Sequence, residues 1–453
     1  MDALTAARIQ MEVSLAFHMI FASFGIAMPL FMLIAERRWL QTGEPHYLEL
    51  AKRWGKATLV LFAIGAVSGT ALAFELGLLW PTFMEFAGSI IGPAFAMEAF
   101  AFFVEAIFLA LYLYGWNRLS PKAHWWTGVP VAIAGAASGV LVVATNAWMQ
   151  NPVGLEQVLA NPEAIDPNAM LFGNPVWHMM AIHSTLSTYT AAAFAVAGIY
   201  AYQALKGKRT KMAMTGMRIA LAVGLVTAVL MPVSGHFYSQ LIGEVQPAKL
   251  AAMEGHYETG PYAPLLIGGW PDNEARTVRG AIGIPGLLSL MLHGNPAAEV
   301  TGLDQFPEEH WPHVGLTRTA FQVMVGSGLL IILVAAAFWV VYRRRREGIM
   351  DLPWLMRLVV AGSPFGMIAL QAGWIVTEVG RQPWVIYNYM YTADAVTESQ
   401  DVLATLIGFI VLYLALSAAL VWLLRRTTRV DDVPEAGAEP PKVPATAEGG
   451  AGR

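Results

Sequence analysis

Cysteine is absent from this 453-residue chain, and charge is scarce, with Asp, Glu, Lys and Arg making up 13% of it. A chain without thiols cannot carry covalently attached c-type haem, a cysteine-held iron–sulfur cluster, a thiolate copper site or a disulfide. Any redox metal therefore rests on His, Met or a carboxylate. No basic tract is interleaved with aromatics, so nucleic acid is excluded as a partner. There is no internal repeat of useful length. What abounds is apolar: 56% of the residues are hydrophobic, more than a soluble core can hide, and the chain reads as a polytopic membrane protein. The first apolar run, Ile9 to Ile34, is too long for a signal-peptide core. It meets Glu36-Arg37-Arg38 without a small-residue cleavage site and so stays as a spanning helix.

Apolar segments near 9–34, 57–80, 92–115, 125–147, 177–204, 217–235, 319–342, 354–378 and 402–424 predict an all-α bundle of nine transmembrane helices. The sixth is the weakest, because Pro232 and Gly235 interrupt it. Lys and Arg crowd alternate loops: Arg37, Arg38, Lys52, Arg53 and Lys56 after the first span, Arg118 and Lys122 after the third, and Lys206, Lys208, Arg209, Lys211 and Arg218 after the fifth. Arg343 to Arg346 and Arg357 follow the seventh, and Arg425, Arg426 and Arg429 the ninth. The other loops are nearly bare. The positive-inside rule then sets the N-terminus outside, the C-terminus in the cytoplasm and the long loop 236–318 outside. Residues 1–426 form the membrane domain; the tail 427–453, rich in Pro, Ala, Glu and Gly, is expected to be disordered.

Ionisable groups inside the spans are few and costly, so each is a functional candidate. His18 lies about ten residues into span one, roughly 15 Å deep at 1.5 Å per residue. His183 and Met324 sit a turn or two inside spans five and seven, and Glu378 closes span eight within Gly373-Trp374-Ile375-Val376-Thr377-Glu378-Val379-Gly380-Arg381-Gln382-Pro383-Trp384. All four fall in the outer half of the membrane. Trp374, four residues before Glu378, shares its helical face and offers a flat wall beside the carboxylate. On these residues alone, two readings stand: Glu378 and Arg381 pair at the interface beneath an aromatic belt, or the stretch holds a planar cofactor. His and Met are axial ligands of low-spin haems, and a lone His or carboxylate suits a high-spin haem; equally, a lone His can bond a neighbouring helix and a lone Met can merely pack. His178 points away from His183 and reads as interfacial. Glu98 and Glu105, seven apart, share a face of span three and read as a proton relay or as inter-helix bonds. Glu75 and Lys56 are weaker members of that set.

These stretches resemble subunit I of the cytochrome bd-type quinol oxidases. The resemblance is carried by Arg8-Ile9-Gln10 with His18, Gly92-Pro93 to Glu98, Ala101-Phe102-Phe103-Val104-Glu105, Gly115-Trp116, Trp148-Met149-Gln150-Asn151-Pro152, His183, Lys249-Leu250-Ala251-Ala252-Met253-Glu254, Met324 and the block from Gly373 to Trp384. It implies that His183 and Met324 ligate a low-spin haem b. His18 and Glu378 would hold two high-spin haems, a haem b and either haem d or a further haem b in its place. It makes Lys249 and Glu254 quinol-oxidation residues, Glu98 and Glu105 a proton path and Arg381 a further catalytic residue, with Trp374 beside the haems. The implied partners are quinol, dioxygen, a second large subunit (subunit II) and a small single-helix subunit, in the plasma (inner) membrane of a prokaryote. Gln322 stands where the family often has Arg, Ala73 where some members carry Glu, and the outer loop is of the shorter type. The resemblance implies a terminal oxidase that generates a membrane potential without pumping. The residues alone also fit a proton-coupled transporter, or a haem electron carrier with an acceptor other than oxygen.

Overall fold

The structure, a computed structural model, describes residues 2–161, 163, 165–399 and 401–430. The tail expected to be disordered lies, from residue 431 on, outside the described residues; the last helix runs to Val430.

Long helices dominate: α1 Ala3–Thr42, α2 Pro45–Leu79, α3 Pro81–Tyr114 and α4 Pro121–Gln150, then the short α5 Leu155–Ala160 and α6 Pro167–Phe172. They continue with α7 Pro175–Leu205, α8 Lys211–Val245, α9 Pro247–Glu254, α10 Leu287–His293, α11 Val314–Arg345, α12 Pro353–Gly362, α13 Phe365–Val379, α14 Thr392–Ala395 and α15 Val402–Val430. Their starts are written in the sequence. Pro45, Pro81, Pro121, Pro175, Pro247 and Pro353 each open a helix, where the missing N–H has no helical partner to lose. Ser120, Asn174 and Thr210 cap the free N–H groups of α4, α7 and α8.

Among the described residues, eight helical stretches are long and apolar enough to cross a membrane, α12 and α13 counting as one. The fifth expected span, α7, is 31 residues long but falls short of that apolarity. It carries His178, His183 and a run of Ser and Thr, and it packs against α1, α4, α8, α12 and α13. A helix with about half of its residues buried against other helices needs less lipid-soluble surface, and Ile182 and Ile199 supply part of what it shows. By contrast Phe100, Phe103 and Ile107 of α3 are 60–71% exposed, as side chains facing lipid or a neighbouring subunit are.

Two sequence boundaries move. Pro232 does not end its helix: α8 runs unbroken to Val245, so residues 236–245, expected to open the outer loop, are helical. Ser234 beside the proline bonds the carbonyl of Met231, and packing against neighbouring helices lets proline sit inside a membrane helix. The eighth expected span is two helices, broken between Gly362 and Phe365, where Pro364 stands. The rest of the outer loop is ordered around three small antiparallel pairs, β1 Gly260–Pro261 with β6 Glu299–Val300, β2 Leu265–Ile267 with β5 Ile282–Ile284, and β3 Trp270–Asp272 with β4 Thr277–Arg279. After α13 a further pair forms, β7 Trp384–Ile386 with β8 Met390–Tyr391. The all-α expectation therefore holds for the bundle and gives way to short strands in the loops.

Apolar packing is concentrated at two levels. One cluster joins Ala27 to Ala35 of α1 with α2, α7, α8, α11 and α12, and another joins Ala6 and Ala7 of α1 with α3, α4 and α6. Helix packing in the first is close: a Cβ on Gly216 would fall 2.4 Å from the ring of the buried Tyr200. Gly216→Ala is expected to force α7 and α8 apart at a cost of roughly 1–3 kcal/mol, read as a lower thermal-unfolding midpoint of the purified complex; an unchanged midpoint would contradict this packing.

Candidate functional site

Between those two apolar levels, α1, α7 and α11 each present one expected ligand. His18 Nδ1 lies 3.1 Å from Ser68 Oγ of α2, and His183 Nδ1 lies 2.9 Å from Ser234 Oγ of α8. Holding an imidazole by Nδ1 fixes the ring and turns Nε2 the other way, the arrangement of metal-bound histidine. Each expected ligand also faces a glycine. A Cβ would stand 2.9 Å from His18 at Gly69, 3.3 Å from His183 at Gly235, and 3.1 Å from the Met324 sulfur at Gly373. Among the described residues no three His, Asp or Glu side chains converge to hold a bare metal ion. Isolated ligands suit iron in a macrocycle, which brings most of its own coordination.

Helix α13 ties these places together. Gln371 donates to the carbonyl of Ala16, two residues from His18; Gly373 meets Met324; Trp374 packs against the cluster formed by Val143 and Ala147 of α4 with Val176, Met180 and Ala181 of α7. One turn further, Glu378 accepts from Asn146 Nδ2 of α4 at 2.5 Å and from Arg381 Nη2 at 2.6 Å. Arg381 is 3% exposed, yet its Nε and Nη1 have no partner among the described residues. Buried donors left open beside an expected haem ligand suit an anionic group such as a haem propionate. Glu12 of α1 lies within electrostatic reach of both Glu378 and Arg381.

The same network runs to the outer loop. Gln150, four residues after Asn146 on α4, donates through Nε2 to Asn146 Oδ1 and to the carbonyl of Thr377. Lys249 Nζ, on α9, donates to Gln150 Oε1 at 3.0 Å and to the same Thr377 carbonyl at 3.1 Å. Lys249 is 2% exposed, and burial lowers its pKa to about 7, opposed by Glu378 and assisted by Arg381. Glu254, at the end of α9, is pushed up to about 7 by burial, against the pull of Arg318. Asn146, Gln150 and Arg318 were not singled out from the sequence. Asn146 and Gln150 stand one turn apart in and beside the Trp148-Met149-Gln150-Asn151-Pro152 block, which was a signal for the first two. Arg318 of α11 had none, since its acceptors are loop carbonyls.

Glu98 and Glu105 both face α4. Ser138 Oγ donates to Glu98 Oε1 at 3.1 Å, and a Cβ on Gly135 would lie 3.1 Å from the Glu105 carboxylate. Glu105 is 4% exposed and its Oε1 is unpaired. Glu75 lies elsewhere, fully buried between α1, α2 and α15, where it accepts from Gln10, itself bonded to Thr405. Among the described residues His178 bonds the carbonyl of Asn174, the cap of its own helix. Gln322 holds the loop backbone at Leu266 and Gly268.

Residues 6–432 match the family described as cytochrome bd terminal oxidase subunit I. The chain is 36% identical to a Bacillus subtilis (strain 168) protein provisionally named cytochrome bd menaquinol oxidase subunit I, over 94% of this chain and 96% of that one. It is 32% identical to cytochrome bd ubiquinol oxidase subunit 1 of the same organism, over 94% and 93%. In three dimensions it is similar to the bd oxidase of Geobacillus thermodenitrificans, with a TM-score of 0.88, 37% identity, and coverage of 95% of this chain and 99% of that one.

Arg318 fastens the loop that carries these residues, donating to the carbonyls of Glu254, Leu266 and Gly268. Arg318→Met is expected to speed amide hydrogen exchange across residues 254–268 by roughly tenfold or more, the loss of at least one charge-assisted hydrogen bond, while the bundle helices stay protected. Unchanged exchange there would remove Arg318 as the anchor.

Proposed function

The chain belongs to the cytochrome bd terminal oxidase subunit I family, quinol oxidases of the bacterial membrane, and from that premise we propose how its residues divide the work. The protein oxidises quinol at the outer face and reduces dioxygen to water with protons drawn from the cytoplasm. Nine spans with the N-terminus outside, as the loop charges require, put α9 and the strand-bearing loop on the outer side. The observation that carries the reading is the hydrogen-bonded chain Lys249–Gln150–Asn146–Glu378–Arg381, which joins the expected quinol residues to an expected haem ligand.

Residues on four helices fit haem. His183 and Met324 would take the low-spin haem b, and His18 and Glu378 the two high-spin haems, with Trp374 as a flat wall and Arg381 offering its open donors. When bound, haem iron supplies electron transfer and the reduction of oxygen; the chain supplies axial ligands, orientation and protons. Ser68 and Ser234 hold the imidazoles by Nδ1. Subunit II and a small single-helix subunit would cover the exposed helix faces. His183→Ala and Met324→Ala are both expected to abolish the same low-spin band in the reduced-minus-oxidised spectrum, and His18→Ala to spare it. Loss of different bands by His183→Ala and Met324→Ala would break the pairing.

Quinol oxidation releases two protons, and two groups stand ready to accept them. A neutral lysine amine has two hydrogens, matched by Gln150 Oε1 and the Thr377 carbonyl, and a lone pair left for a quinol hydroxyl. The Glu254 carboxylate is the second base, its Oε2 unpaired. Lys249, lowered to about 7, and Glu254, raised to about 7, both become proton-free as pH rises through that value. Quinol oxidation at saturating substrate is therefore expected to speed up as pH rises through about 7, and Lys249→Gln and Glu254→Gln each to flatten the profile. A parent enzyme slowing over that interval would contradict these roles.

The protons that enter water come past Glu105 and then Glu98. Since quinol protons leave outside, the separation generates a membrane potential without pumping. A proton-coupled transporter would be colourless after purification; a haem carrier with another acceptor would be coloured and consume little oxygen with quinol.

A further inference from the structure

Seven residues beyond Glu105 on the same face of α3 stands Tyr112, so that Glu98, Glu105 and Tyr112 form one stripe along the α3–α4 seam. Small residues line α4 opposite it: Gly135 against the Glu105 carboxylate, and Gly128, whose Cβ would fall 3.0 Å from the Tyr112 ring. The stripe ends in three side chains with no place in the chemistry above. Glu36 of α1 is 0% exposed, Tyr112 0% and His124 of α4 1%. His124 Nδ1 lies 2.7 Å from Glu36 Oε1, and His124 Nε2 lies 2.7 Å from the carbonyl oxygen of Tyr112.

The carbonyl fixes the protonation logic. A carbonyl only accepts, so Nε2 carries a hydrogen. One further hydrogen then lies between Nδ1 and the Glu36 carboxylate, whichever atom owns it. The pair is thus neutral and holds one transferable proton. The second Glu36 oxygen and the Tyr112 hydroxyl are both buried, neither has another partner among the described residues, and the hydroxyl lies within hydrogen-bonding reach of the Glu36 carboxylate. The carboxylate thus links the imidazole on one side to the phenol on the other, a continuous set of groups able to pass a proton. Beside the pair, a pocket of about 240 Å3 lined by Arg37, Leu40, Lys122, Trp125 and Trp126 opens to solvent. It lies at the end of the bundle where the basic loops gather.

We propose that Glu36, His124 and Tyr112 form the cytoplasmic intake of the proton path, the place where a proton is loaded before it moves to Glu105. The inference rests on the proposed Glu105–Glu98 path. The shared proton leaves through Glu36 to the Tyr112 oxygen while the Tyr112 hydroxyl gives up its own hydrogen toward Glu105. The relay requires water to enter the α3–α4 seam over the two helical turns between Tyr112 and Glu105, about 10.5 Å. A proton from the pocket then restores the Glu36–His124 pair, so every group ends as it began and one proton has moved inward.

The test uses the purified complex with quinol and oxygen, comparing Tyr112→Phe and Glu36→Gln with Glu105→Gln. Tyr112→Phe keeps the ring against Gly128 and decides the matter should Glu36→Gln lose haem. Both intake variants are expected to slow oxygen consumption roughly tenfold or more, with full haem content, haems more reduced during turnover than in the parent, and a larger deuterium solvent isotope effect. Glu36→Asp should recover part of the rate. Unchanged turnover in Tyr112→Phe, with Glu105→Gln slow, would overturn the intake and leave the path standing. Slow turnover with haems more oxidised than in the parent would also overturn it, because electrons and not protons would then be limiting. Unchanged turnover in Glu105→Gln as well would remove the path and the intake together.

Discussion

A carboxylate inside a membrane bundle has no water to turn to, and Glu378 meets that constraint with two strong donors, Asn146 and Arg381. Much of the outer half of the molecule follows from keeping those donors in place. Asn146 is held by Gln150, Gln150 by the Thr377 carbonyl and Lys249, and Lys249 by α9, which the loop secures through Arg318. Removing any one of these leaves the next with an unmet buried group, so the network stands or falls largely as a unit.

That dependence gives the outer loop a double task. It presents Lys249 and Glu254 at the level where quinol is proposed to react, and it braces the end of α13. The same helix meets α1 at Ala16, α7 through Trp374 and α11 at Met324. A helix of fifteen residues thereby touches the neighbourhood of every expected haem ligand. On the opposite side of the bundle the demands differ. There Glu105 and Tyr112 lie along the α3–α4 seam against Gly135 and Gly128 of α4, the route proposed for protons.

Much of this was legible in the sequence because the bilayer enforces long apolar runs, and the helices answer to them. The fifth expected span was readable from its position although α7 has no single stretch as apolar as those of the other spans, since its neighbours shield much of it. Pro232 misled about the end of α8 because a proline costs a membrane helix one hydrogen bond, which packing against neighbouring helices can outweigh. Strands of two or three residues, such as β1 and β6, carry no period to detect. His18, His183, Met324 and Glu378 stood out as polar or soft residues in apolar surroundings. Their connectors did not: Asn146 and Glu378 are 232 residues apart, and Glu36 and His124 are 88 apart. Nothing local in a sequence joins such pairs.

The most direct test of the central claim, that α13 gathers three haems around itself, is a density map of the purified complex at a resolution that shows axial ligands. The account predicts three macrocycles flanking α13, one iron bound by both His183 and Met324, one by His18 and one by Glu378, with Arg381 against a propionate. Macrocycles bound by other residues, or a map in which Glu378 faces no iron, would contradict it.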